Sequence, residues 1–282
     1  MKRLLPVLAL VLLASSCTTA DEPGEPDPGT ESASSTTDLS GLPSAIVGQG
    51  GTLEGTDLHY VDGDALTTGY LAVPEGDGPF PALVIIHEWN GLVDRVRQLA
   101  DDFAAEGYVT LAADMYKGQT GSNQEENIAL MTAVNDDPGT MIANLNAAVS
   151  YLRGRDDVTG RVGTMGWCFG GGVALSFGLD GENHEATAMF YGRVLDDPEV
   201  VGRMDHEVYG TFAELDQSIP PEAVASFAAA LRAAGVENDI HVYDDVQHGF
   251  WLRVDGDPDV RGAAAVHAWE RLKAYLNRTL GA

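Results

Sequence analysis

The sequence predicts an α/β domain in which a mostly parallel β-sheet is covered by helices on both faces. Segments with strand character alternate with segments of helical spacing along most of the chain. Several strand segments are apolar throughout, as expected for strands buried on both faces. Residues 46–282, about 237 positions, form an ordinary length for one such domain.

The domain is expected to open with an N-terminal β-hairpin. Residues 56–74 alternate apolar and polar side chains on either side of Asp62-Gly63-Asp64, which predicts two strands and a turn. The continuous apolar run from Ala82 to His87 predicts the first fully buried strand. Apolar residues at helical spacing from Val93 to Ala104 predict the helix that follows.

The remaining elements repeat this alternation. Further strands are expected over Tyr108–Ala113, Arg161–Trp167, Ala186–Tyr191, Val208–Ala213 and Ile240–Tyr243. Further helices are expected over about Thr140–Tyr151, from Val173 onward, over Val224–Leu231 and over Ala265–Leu276. Ligands of such sheets bind at the carboxyl ends of the strands, so functional residues are expected in the loops that follow the strands.

The N-terminus has the features of an export signal. Lys2 and Arg3 precede an apolar run from Leu4 to Ala14, and small residues lead to Cys17. The run is too short to span a bilayer, so residues 1–16 are predicted to be a signal peptide. The pattern resembles a bacterial lipobox, which implies lipid attachment at Cys17. Cleavage by an ordinary signal peptidase, followed by secretion, is the alternative.

Residues 17–45 are predicted to form a lipidated cysteine followed by a disordered acidic linker rich in Ser, Thr and Pro. The mature protein is thus expected outside the cytoplasm, on the membrane that holds its lipid. The formal net charge of −27 disfavours nucleic acid as a partner and opposes adsorption to anionic lipid. The lipid is therefore the only membrane contact expected, and the domain is expected to be a monomer.

A glycine-rich turn carries the strongest chemical signal. Gly166-Trp167-Cys168-Phe169-Gly170 lies between an expected strand and an expected helix. That context is typical of a nucleophile elbow, in which the residues two before and two after the nucleophile leave no room for side chains. The sequence therefore predicts that Cys168 is a nucleophile at the start of a helix, where N–H groups favour a thiolate.

A base and an acid are expected after later strands, in the chain order nucleophile, acid, histidine. His248 follows the last expected strand and is the candidate base. Asp216 follows the preceding strand and is the favoured acid, although Glu214, Asp244 and Asp245 also lie at strand ends.

These motifs resemble those of the dienelactone hydrolase family, over nearly the whole domain from about residue 56. The matching motifs, in chain order, are His87-Glu88, the cysteine elbow through Gly171, the Asp216 region and His248-Gly249-Phe250. The resemblance implies an α/β-hydrolase fold and ester hydrolysis. No metal or cofactor is expected, because the histidines show no metal-ligand spacing and no dinucleotide-binding or phosphate-binding motif is present in the sequence. The resemblance also implies these roles: Cys168 as nucleophile, His248 as base and later acid, Asp216 as its orienting carboxylate, Glu88 as a second acid beside the thiol, and the backbone N–H groups of Trp89 and Phe169 as the oxyanion hole.

The expected substrates are small esters or lactones, neutral rather than carboxylate-bearing. Family members hold the dienelactone carboxylate with arginines, one of them four residues after the catalytic histidine. Leu252 has that place here, and on a strand-like continuation Arg253 would point the other way. Residues 98–152 contain no arginine and a single lysine, Lys117. A non-catalytic surface-binding protein and a thioesterase or peptidase of the same fold are the alternatives.

Overall fold

The structure, a computed structural model, describes residues 37–281. The predicted signal peptide, Cys17 and most of the predicted linker lie outside these residues. The described part contains one eight-stranded sheet. Its strands are β1 Thr56–Leu58, β2 Gly69–Ala72, β3 Phe80–Ile86, β4 Val109–Ala113, β5 Val158–Trp167, β6 Ala186–Phe190, β7 Val208–Ala213 and β8 Asn238–Tyr243.

The strand order is β1-β2-β4-β3-β5-β6-β7-β8. Strands β3 to β8 pair in parallel, whereas β1 pairs antiparallel with β2, and β2 pairs antiparallel with β4. The predicted N-terminal hairpin is thus confirmed, with Thr56 opposite Leu71. The α/β fold with a mostly parallel sheet is confirmed as well.

Helices cover both faces of the sheet because the central strands alternate their side chains between two apolar layers. Leu83 and Ile85 of β3 pack in the same core as the first and last helices, while Val84 and Ile86 pack in the core on the other face. The helices are α1 Asp94–Ala105, α2 Gln124–Asn135, α3 Pro138–Arg153, α4 Phe169–Asp180, α5 Pro198–Val201, α6 Pro221–Ala234 and α7 Pro258–Leu280.

Some helices differ from the sequence prediction, and the shortest of them, α5, was not expected. α2 was not expected, because its apolar side chains do not form one buried stripe: Ile128 is exposed and the polar Asn127 is buried. α4 begins at Phe169, four residues before the expected start, because Gly170, Gly171 and Gly172 adopt helical backbone despite their low helix propensity.

The folded domain begins earlier than predicted. The boundary predicted between linker and domain, after residue 45, is therefore wrong. Leu42 and Ala45 are buried, and a short 3-10 helix spans Ser44–Val47. The Ser44 hydroxyl and the Ala45 N–H both donate hydrogen bonds to the Asp102 carboxylate of α1. These contacts hold a polar-looking segment against the domain.

None of the helices within residues 37–281 is both long enough and apolar enough to cross a bilayer. The parallel strands bring the loops after β3, β5, β7 and β8 to one edge of the sheet. These loops carry Glu88, Cys168, Asp216 and His248 respectively.

Candidate active site

The turn from β5 into α4 has the geometry of a nucleophile elbow. A Cβ atom added at Gly166 would lie 2.3 Å from the carbonyl oxygen of Gly170. One added at Gly170 would lie 2.3 Å from the carbonyl oxygen of Ile86, so neither position tolerates a side chain. Cys168 itself has φ 55° and ψ −115°, a backbone conformation that non-glycine residues rarely adopt.

Cys168 therefore stands in strained backbone at the first turn of a helix. Its N–H donates to the Phe190 carbonyl of β6 at 3.0 Å, and its own carbonyl accepts from the N–H groups of Gly171 and Gly172. The side chain is half-buried and its thiol is free. The amino-terminal end of α4 supplies unsatisfied N–H groups beside the sulfur.

His248 joins Cys168 to a buried carboxylate. Its Nδ1 lies 2.6 Å from Oδ2 of Asp216, and the imidazole is close enough to Cys168 for the two side chains to interact electrostatically. Burial by itself would lower the pKa of His248, but the interactions of the imidazole with Asp216 and Cys168 outweigh burial and raise the pKa to about 10. The imidazolium form is therefore favoured at neutral pH.

Asp216, and not one of the neighbouring acids, is the partner of His248. Its Oδ1 accepts hydrogen bonds from the N–H groups of Ser218 at 2.8 Å and Ile219 at 3.1 Å. Burial opposes its ionisation, but His248 and these two N–H groups hold the pKa of Asp216 below its usual value. Glu214 turns outward and accepts from the N–H of Asp245.

Glu88 follows β3 and is almost completely buried, with its side chain 5% exposed. Burial raises the pKa of Glu88, although the positive charges of Arg253, His248 and Arg95 oppose the shift. The Nη2 atom of Arg253 lies 2.5 Å from Oε2 of Glu88. The carboxylate predicted to act beside the thiol is thus held in an ion pair.

The expectation that Arg253 points away from the site is wrong. Residues 251–253 form a turn and not a continuation of a strand, so the alternation of side chains assumed for them does not apply. Arg253 reaches Glu88 through this turn. Arg95 supports the turn by donating hydrogen bonds to the Leu252 carbonyl and to Asp255.

Lys117, the other cation considered from the sequence, forms an ion pair with Asp64 at 3.1 Å. Its side chain is half exposed. Among the described residues, Lys117 makes no ion pair with Glu88 or Asp216.

The two predicted oxyanion donors belong to the carboxyl ends of two neighbouring strands, β3 and β5. Trp89 belongs to the loop after β3, and Phe169 is the first residue of α4. Neither backbone N–H donates a hydrogen bond to another residue within 37–281. Both groups are therefore available to a bound oxygen atom.

Two tyrosines of the site were missed by the sequence reasoning. The Tyr191 ring lies 4.9 Å from the His248 ring, and the Tyr116 hydroxyl donates to the Trp89 carbonyl at 3.1 Å. Tyr116 is also close enough to Cys168 for the charge of the sulfur to help raise the tyrosine pKa. Both tyrosines lie just after parallel strands, β6 and β4, which is the signal that could have identified them.

No group of three or more His, Cys, Asp or Glu side chains among the described residues is arranged to hold a metal ion. The groups that the candidate site brings together are a thiol, an imidazole, two carboxylates and backbone N–H groups.

Comparison with known proteins finds similarity over most of the chain. The family model of the dienelactone hydrolase family matches residues 67–280. A candidate carboxymethylenebutenolidase of Methylorubrum extorquens is 27% identical over 228 residues, covering 76% of this chain and 78% of the relative. Protein usf of Aquifex pyrophilus is 30% identical over 223 residues, covering 75% of this chain and 93% of the relative.

Solved structures share the fold. The dienelactone hydrolase-like promiscuous phosphotriesterase P91, from metagenomic libraries, superposes with a TM-score of 0.69 at 21% identity. The match covers 80% of this chain and 97% of that protein. The match to the family model extends over most of the described domain, from the loop before β2 to the end of α7. The chain therefore belongs to the dienelactone hydrolase family.

Proposed function

We propose that this hydrolase cleaves small neutral esters or lactones, with Cys168 as its nucleophile. The observation that carries the proposal is the alignment of three side chains: Cys168 at a strained elbow, His248 near it, and the buried Asp216 hydrogen-bonded to His248. A nucleophile, a base and an orienting acid in this arrangement are the parts needed for covalent acyl transfer.

In the first half of the reaction, the Cys168 sulfur attacks the ester carbonyl carbon. The carbonyl oxygen gains negative charge and accepts hydrogen bonds from the N–H groups of Trp89 and Phe169. The intermediate collapses as the C–O bond breaks, and His248 gives its proton to the leaving alkoxide. This step produces an alcohol and a thioester at Cys168. When the substrate is a lactone, the alcohol remains part of the acyl group.

In the second half, neutral His248 takes a proton from water, and the hydroxide attacks the thioester carbonyl. The same N–H groups stabilise the second oxyanion. The C–S bond breaks, the acid leaves, and His248 returns to the imidazolium form beside the sulfur. Asp216 favours this form throughout, because its carboxylate remains next to Nδ1.

Glu88 is proposed to receive the proton of a resting Cys168 thiol. A second base is useful because His248 already carries a proton at neutral pH. The raised pKa of Glu88 suits a proton acceptor. Glu88 is paired with Arg253 in the structure, so this transfer requires its carboxylate to rotate or a water molecule to relay the proton.

The preference for neutral substrates is proposed from the charges around the site. Arg253, Arg95 and Lys117 each already have a carboxylate partner, in Glu88, Asp255 and Asp64 respectively. A substrate carboxylate that paired with one of these three cations would have to displace its present partner, and leaving a buried carboxylate such as Glu88 unpaired is costly. The net charge of −27 also repels an approaching anion.

The test compares kcat/KM for a neutral aryl acetate with kcat/KM for a matched ester that bears a carboxylate near the scissile bond. We expect the neutral ester to be favoured and Cys168→Ala to have no measurable turnover of either. Arg203→Ala, which removes a surface ion pair with Asp180 on the outside of the domain, is the control. A clear preference for the anion would contradict the proposed specificity, and retained turnover in Cys168→Ala would contradict the proposed chemistry.

We also propose that the chain is exported and anchored by a lipid on Cys17. The support is the charged start, the apolar run and the small residues before that cysteine. Expression of the full chain in a bacterial host should place it in the membrane fraction, and Cys17→Ser should release it. A mature chain whose N-terminus is another residue, without lipid, would contradict the proposal.

A further inference from the structure

His87 lies at the centre of the loop that carries Glu88 and Trp89, yet the proposed mechanism assigns it no role. It is completely buried at the end of β3. Its ring packs edge-on against Tyr116, with 4.6 Å between centroids, and is stacked on Phe169 at 6.0 Å. The imidazole thus packs against Phe169, which is one proposed oxyanion donor. It also packs against Tyr116, whose hydroxyl holds the carbonyl of the other proposed donor, Trp89.

Both ring nitrogens of His87 are engaged by the backbone. The N–H of Met115 donates to Nε2 at 3.2 Å, so Nε2 is the acceptor and the ring proton is on Nδ1. Nδ1 then donates to the carbonyl oxygen of Glu88 at 2.6 Å, and the same oxygen accepts a longer hydrogen bond from the Gly91 N–H at 3.2 Å. Burial lowers the pKa of His87 to about 4, which keeps this neutral tautomer at neutral pH.

The hydrogen bond to the Glu88 carbonyl has a consequence for the next residue. The carbonyl of Glu88 and the N–H of Trp89 belong to one planar trans peptide, in which the two groups point in opposite directions. A carbonyl held toward the His87 ring therefore holds the Trp89 N–H away from it. The following carbonyl, that of Trp89, is held by the Tyr116 hydroxyl.

We propose that His87 is a positioning residue that orients the Glu88–Trp89 peptide so that the Trp89 N–H can act as an oxyanion donor. The inference rests on the proposed function, because it needs a reaction that develops charge on a carbonyl oxygen. His87 touches neither substrate nor sulfur in this account. Its contribution is confined to steps that develop an oxyanion.

The test compares His87→Leu with His87→Asn on the full chain. Leucine fills the volume without a donor, whereas the asparagine amide N–H can replace Nδ1–H toward the Glu88 carbonyl. With a neutral aryl acetate, we expect kcat of His87→Leu to fall about 100-fold with KM nearly unchanged, the scale of a lost oxyanion donor. We expect His87→Asn to recover at least about tenfold of that loss.

A second readout separates positioning from general damage to the site. Alkylation of Cys168 by iodoacetamide displaces iodide at a carbon that carries no developing oxyanion, so its rate should change less than about twofold in both variants. His184→Leu is the matched control, because His184 is also buried with a pKa lowered to about 4 but precedes β6 at the opposite end of the sheet. Its kcat should match that of the wild type.

Three results would overturn the proposal: full kcat in His87→Leu, alkylation lost in parallel with hydrolysis, or His87→Asn as slow as His87→Leu. Failure of the proposal for His87 can be distinguished from failure of the proposed function. Absence of ester turnover in the wild-type enzyme would refute the function itself, whatever the His87 variants do.

Discussion

The loops after β3 and β8 each place a histidine at the active edge of the sheet, and the two histidines differ in charge. The pKa of His87 is lowered to about 4 by burial, because its hydrogen-bonding partners are backbone groups. The pKa of His248 is raised to about 10, because Asp216 and Cys168 outweigh its burial. The comparison teaches that a carboxylate partner, more than burial, decides whether a site histidine is charged.

The difference matches the tasks proposed for the two histidines, which are proton transfer by His248 and positioning of a peptide by His87. A histidine that moves protons needs a partner that stabilises its charged form, and Asp216 provides one for His248. A histidine that holds a peptide in place needs a fixed tautomer, and Met115 and Glu88 provide that for His87. Removing the partner of one histidine should therefore leave the other unaffected.

The largest expected effect comes from Asp216→Asn, which removes the carboxylate that distinguishes His248 from His87. The amide keeps the size of the side chain and can still accept from Ser218 and Ile219. We expect kcat/KM for a neutral aryl ester to fall on the order of 10³- to 10⁴-fold, because His248 loses both its orientation and its charge stabilisation.

Glu214→Gln is the matched control for this variant, since Glu214 ends the same strand region but faces Asp245. It should keep kcat/KM close to that of the wild type. An equal loss in both variants would show that the acid of the site has been assigned to the wrong residue.

The pH dependence of stability sharpens the same comparison. The folded-state pKa of His248 is raised from 6.5 to about 10, so its stabilising contribution is complete below pH 6.5 and is lost as the pH rises through about 10. Asp216→Asn should therefore destabilise the domain most at about pH 5 to 6.5, and the difference from the wild type should shrink as the pH rises toward 10.

Urea unfolding of both proteins at a series of pH values measures this difference. Titration of the His248 ring by NMR gives the pKa directly, and Asp216→Asn should lower it while leaving the His87 resonance unchanged. A His248 pKa at or below the usual value of 6.5 in the wild type would contradict the account.

The smallest expected effect is that of Tyr116→Phe. This change removes the hydroxyl that holds the Trp89 carbonyl but leaves the ring against His87. One hydrogen bond of about 1 kcal/mol predicts a decrease of about fivefold in kcat. Tyr151→Phe on α3 is the control, and equal kcat in the two variants would show that the Trp89 carbonyl needs no support from Tyr116.

The catalytic edge was predictable because it depends on local patterns that recur at strand ends. The glycines at 166 and 170 predict the elbow, since the steric demand lies in the backbone itself. Asp216 and His248 follow from the order of the strands. The choice between Asp216 and Glu214 needed the structure, because the path of the loop after β7 decides that Asp216 is buried against His248 while Glu214 is exposed.

Features that depend on packing between distant segments were not predictable. The ion pair between Arg253 and Glu88 joins residues 165 positions apart and depends on the turn after His248. The early start of the domain depends on Asp102, which binds Ser44 across 58 positions. The role inferred for His87 also needed the structure, because its partner Met115 belongs to another strand-end loop.

The most direct test of the central claim is to trap the acyl-enzyme. After the wild-type enzyme is mixed with a neutral aryl acetate and quenched within one turnover, peptide mass spectrometry should find one acetyl group, on Cys168. His248→Asn should reduce the rate of acetylation, and Cys168→Ala should show none. An acetyl group on another residue, or turnover without any acyl-enzyme at Cys168, would contradict the account.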